Sequence, residues 1–103
     1  MSVLIFDTDR GAESFRTLAV SGEKTFHALW EPVIAELGLK HIGDGRYLCR
    51  NDLPAILDEF GRLLEYSRFR PELQDITYHC EIILAQLEQR WNEVPDAERL
   101  YMG

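Results

Sequence analysis

Three stretches of this chain repeat apolar residues at three- and four-residue steps, a spacing that restricts the fold more than any other feature. Phe26, Leu29, Trp30, Val33, Ile34 and Leu37 form the first stripe. Leu53, Ile56, Leu57, Phe60, Leu63 and Leu64 form the second. Leu73, Ile76, Cys80, Ile83, Leu84, Leu87 and Trp91 form the third and longest. Each reads as an amphipathic helix with one face to bury. Gly38 suits the C-terminal cap of the first. Pro32 lies inside its pattern, which predicts either a kink near His27 to Trp30 or a fresh start at Glu31. The apolar phase continues across Pro32, which favours the kink. Asn51 or Asp52 is placed to cap the second helix, Pro71 opens the third, and Asn92 to Pro95 end it.

Strand signals occupy the gaps. Val3-Leu4-Ile5-Phe6 is a short, continuous apolar run and reads as an interior strand. Phe15 to Val20 is a weaker strand pattern, ending at Ser21-Gly22. Leu39 to Cys49 reads as a hairpin around Asp44-Gly45, a pair suited to a type I′ turn. Leu100-Tyr101-Met102 is a final short strand. The expected architecture is a single α+β domain over residues 1–103. Three helices pack on one face of a small, largely antiparallel β-sheet.

A chain of 103 residues with 46% apolar content can bury one core without disulfide or metal staples. Cys49 and Cys80 match no zinc spacing and no C-x-x-C pair, and Cys80 falls on an apolar stripe. Both are expected to be reduced in a cytoplasmic protein. Met1 to Asp7 has no basic stretch before its apolar run, so it does not read as a signal peptide. No apolar run approaches the length of a membrane span.

The net charge is -7, and the segment from Pro71 to Gly103 holds five of those negative charges, with seven acids against Arg90 and Arg99. A nucleic-acid binder needs a basic face, so this balance counts against that class and fits a basic protein partner. The one basic and aromatic cluster is Arg62, Tyr66, Arg68, Phe69 and Arg70. Its arginines are expected to lie over the helix end or pair with Glu65 and Glu72.

Catalytic patterns are sparse. Asp7-Thr8-Asp9 after the first strand resembles the opening motif of haloacid-dehalogenase-type phosphotransferases. That resemblance implies a nucleophilic Asp7 and a general acid/base Asp9. The family needs a parallel sheet and further acidic strand ends for Mg²⁺, for which this chain is too short. His27, His41 and His79 form no i, i+4 pair, and the serines lack a nucleophile-elbow context. No cofactor is expected.

The third helix has a second face. With its stripe turned inward, Ile82 points outward, near Tyr78 and Ala85 and bordered by Asp75, Gln86 and Gln89. The expected partner-binding residues are Asp75, Glu81 and Glu88, with Tyr78 and Ile82 as apolar anchors. Gly45-Arg46-Tyr47-Leu48 leading into Leu53-Pro54, the acidic third helix and Leu100-Tyr101-Met102-Gly103 together resemble small acidic bacterial immunity proteins that neutralise toxins. The resemblance implies a non-enzymatic protein that occludes a basic toxin partner. The alternatives are a homo-oligomeric accessory protein, such as a homodimer, and a small phosphotransfer-type enzyme using Asp7 and Asp9.

Overall fold

The computed structural model describes residues 2–7 and 17–103. Strands β1 (Ser2–Phe6), β2 (Leu18–Gly22), β3 (Arg46–Cys49) and β4 (Arg99–Met102) form one antiparallel sheet in the order β2-β1-β4-β3. Helix α1 spans 23–37, α2 is Leu53–Ser67 and α3 is Gln74–Asn92. The three helices cover one face of the sheet, the expected α+β arrangement. Among the described residues, no helix is long and apolar enough to cross a membrane.

Alternation along the strands decides which face meets the helices. Val3 and Ile5, Leu18, Leu48, Leu100 and Met102 point inward and are buried. A bulge in β2 opposite Val3 and Leu4 breaks the alternation, so that Val20 and Ser21 are both buried. The opposite face carries a lateral aromatic row. Phe6 meets Tyr101 edge-on at 5.7 Å between ring centroids, and Tyr101 meets Tyr47 at 5.0 Å. The Arg99 guanidinium lies 4.3 Å above the Tyr47 ring.

Pro32 leaves its mark on α1 without breaking it. An α-helical turn at Glu23–Thr25 passes into a π-helical stretch at Phe26–Trp30 and then into α-helix at Glu31–Leu37. The Glu31 N–H donates to Phe26 O, five residues back. The wider turn absorbs the donor that Pro32 lacks. Gly38, with φ 66°, ends the helix, its N–H bonding Ala35 O and that of Leu39 bonding Ile34 O. That pairing is a Schellman cap.

Both tryptophans, Trp30 and Trp91, are fully buried, as are Phe26 and Phe60. Their indole N–H groups are satisfied: Trp30 Nε1 donates to Asp75 Oδ2 at 2.9 Å, and Trp91 Nε1 to Ala97 O at 2.7 Å. A buried aromatic with its polar handle paired adds area without an unmet donor.

Several local expectations are corrected. Residues 39–45 form no strand, so the hairpin over Leu39 to Cys49 is absent; β3 pairs only with β4. The turn is not type I′, which needs positive φ at both central residues, because Gly45 has φ 86° and Asp44 does not have positive φ. The physical reason is Glu59 on α2. Its carboxylate accepts the N–H groups of His41 at 3.0 Å and Lys40 at 3.2 Å, holding this segment on the helix instead of the sheet. Asp52 occupies the N-cap position of α2 but makes no side-chain cap bond. Strand β2 continues through Gly22, and its expected start at Phe15 lies outside the described residues.

Candidate functional site

Helix α3 spends one stripe entirely on the core. Ile76, Cys80, Ile83, Leu87 and Trp91 are buried. At about 100° per residue, the side opposite that stripe carries Tyr78, Ile82, Ala85 and Gln89. Tyr78 is 64% exposed, one of the most exposed large apolar side chains described. Ile82 is half-buried, while Ala85 and Gln89 are exposed. Glu81 and Glu88 are exposed along one border of this strip. A shallow depression lined by Leu84, Ala85, Glu88, Gln89, Asn92 and Glu93 continues it toward the helix end. The helix therefore presents an aromatic and an aliphatic side chain beside a row of carboxylates.

Asp75 has a different position from the other four expected residues. Its Oδ2 accepts the Ser21 hydroxyl at 2.7 Å and the Trp30 indole at 2.9 Å. His79 Nδ1 lies 2.9 Å from the Asp75 carbonyl and 3.3 Å from Oδ1. One carboxylate thus joins β2, α1 and the first turn of α3, where an anion also suits the helix dipole. Below it, burial and the nearby Asp75 charge push the Cys80 thiol well up from its ordinary range. Such a thiol stays protonated and unreactive at neutral pH. Both cysteines are free, Cys80 buried and Cys49 exposed.

The opposite end of α3 is held by a residue the sequence did not single out. Arg50 donates to Ala97 O at 3.0 Å, Trp91 O at 3.1 Å and Val94 O at 2.7 Å. Trp91 O belongs to the last turn of α3, and Val94 and Ala97 lie just beyond it, so the cation satisfies a helix-end carbonyl, complements the dipole and ties down the turn that follows. Arg50 follows β3 directly in the chain, so this contact also joins the sheet edge to the helix.

The remaining candidates are dispersed. Asp7 is buried at the end of β1, and Asp9 lies outside the described residues. Arg62 donates to Leu37 O at 3.0 Å, Arg68 pairs with Glu65 at 3.3 Å, and Arg70 bonds Tyr66 O while lying over its ring. Those three arginines are thus engaged locally. The aromatic row of Phe6, Tyr101 and Tyr47 was missed because its members come from three strands whose pairing no local pattern reveals. Alternation within each strand was the available signal.

No family model matches this chain, and no curated protein or solved structure is significantly similar to it.

Proposed function

We propose that this domain is a non-enzymatic binding protein that occludes a basic protein partner through the outer face of α3, in the manner of a toxin-immunity protein. The observation that carries the reading is exposed Tyr78, set beside Ile82 and bordered by Glu81 and Glu88, on a helix whose inner stripe already serves the core. Aromatic anchors in an interface supply affinity, and flanking charge supplies steering and selectivity. Asp75 contributes by fixing the helix against β2 and α1.

The test is affinity capture from the source organism with wild type, Tyr78→Ala and a Glu81→Lys/Glu88→Lys double variant, at low and high salt. The expected result is a basic protein retained by wild type, released by salt and retained less by both variants. Retention that neither salt nor the variants alter would overturn the reading. The aromatic row on the open sheet face favours a second reading, association of two copies through that face. Sedimentation of wild type against Tyr47→Glu distinguishes it, since a monomer in both removes it.

A further inference from the structure

We propose that Glu23, His27 and Asp44 form a binding site for a divalent transition-metal ion of the zinc class. One ligand atom from each of the three lies within 4.8 Å of the others. Glu23 and His27 come from successive turns of α1, and Asp44 comes from the turn before β3. His27 Nε2 stands 3.3 Å from Asp44 Oδ2. Two ligands of a tetrahedral zinc ion, each bonded at about 2.0–2.2 Å, are separated by about that distance. All three side chains are exposed, which leaves the Glu23 carboxylate room to turn toward such an ion.

Two further features of the histidine fit a ligand. Its other nitrogen, Nδ1, lies 2.7 Å from Glu31 Oε1. In the neutral tautomer with its proton on Nδ1, that nitrogen donates to Glu31 and Nε2 offers its lone pair beside Asp44. A metal-bound histidine is held in this way, by a carboxylate on the nitrogen that does not bind the metal. The second feature is charge. Glu23, Glu31 and Asp44 surround a single imidazole, and among the described residues the ion pairs of Glu31 and Asp44 run only to His27. A protonated His27 offsets one of the three negative charges, whereas a divalent ion on neutral His27 offsets two. The imidazole selects zinc-class ions over magnesium and calcium, which prefer all-oxygen sites.

The experiment is calorimetric titration of zinc chloride into the full chain carrying Cys49→Ser, which removes the exposed thiol as a competing ligand. One equivalent is expected to bind. His27→Asn and Asp44→Asn should each weaken binding at least about tenfold, and Glu31→Gln about tenfold through the loss of the orienting carboxylate. The ring resonances of His27, and not those of His41 or His79, should shift on zinc addition. Circular dichroism of each variant checks that these exposed substitutions leave the fold intact. Absence of stoichiometric binding would overturn the proposal, as would binding that survives His27→Asn or shifts confined to His41 or His79.

Discussion

Glu59 and Asp75 face inward at seams between elements, while Glu81 and Glu88 face outward along α3. The four carboxylates share one chemistry, and partners alone divide them. Glu59 is 7% exposed, with its oxygens taken by His41 Nδ1 at 2.6 Å and by two backbone N–H groups. Asp75 is taken by a hydroxyl and an indole. Glu81 and Glu88 meet solvent. An inward carboxylate is costly to bury and costly to remove once its donors depend on it. An outward one costs little either way and is free to act on a partner. The acidity of this protein therefore has two separate functions, fixing the fold and charging a surface.

Substitutions test that division directly. The largest expected effect is from Glu59→Ala, which leaves the His41 and Lys40 N–H groups without their acceptor. A loss of about 2–3 kcal/mol is expected from urea denaturation. Asp75→Ala should cost about 2 kcal/mol by the same measurement, because it strands the Ser21 hydroxyl and the Trp30 indole. Trp30 fluorescence should change in the native state of that variant. A cost below about 0.5 kcal/mol in both would remove the distinction between inward and outward acids.

The pH dependence sharpens the comparison. Burial by itself would raise the Glu59 pKa from its ordinary value of 4.5, but the His41 side chain and the His41 and Lys40 N–H groups outweigh it and hold the carboxyl below that value. A depressed folded-state pKa gives stability that is fully present above the unfolded value. It is lost as pH falls through the folded one. The stability gap between wild type and Glu59→Gln should therefore shrink as pH falls below about 5. A gap that widens below about pH 5 would contradict this assignment.

On the outward side, Tyr78→Ala should leave stability within about 0.5 kcal/mol. It should weaken capture of a partner by about 1–2 kcal/mol, read from retained fractions. The smallest expected effects are from Glu81→Gln and Glu88→Gln. Each should change stability by no more than about 0.5 kcal/mol and reduce the salt dependence of capture.

The helices were legible because their evidence is local. Ile76, Cys80, Ile83, Leu87 and Trp91 repeat within one segment, and all are buried. The roles of Asp75 and Glu59 were not legible, since the donors to Asp75 are 45 and 54 residues away. One clue to Glu59 was present: an acid set between Ile56 and Leu63 at helical spacing, beside an apolar stripe. Arg50 gave no such clue, because the carbonyls it serves lie 41 to 47 residues away, at the end of α3 and in the turn that follows it. Tyr78 and Ile82 were found on the outer side of α3 because their placement follows from the helix period alone.

Strand β4, residues 99–102, lies between β1 and β3. During synthesis, β1 and β2 can pair as soon as they emerge, but β3 has no neighbour in the sheet until β4 arrives some fifty residues later. Loop closure over that separation is slow relative to helix formation. The expected assembly order therefore has the helices and the β1–β2 pair first and the aromatic row last, since Tyr101 brings Phe6 and Tyr47 together only when the sheet closes.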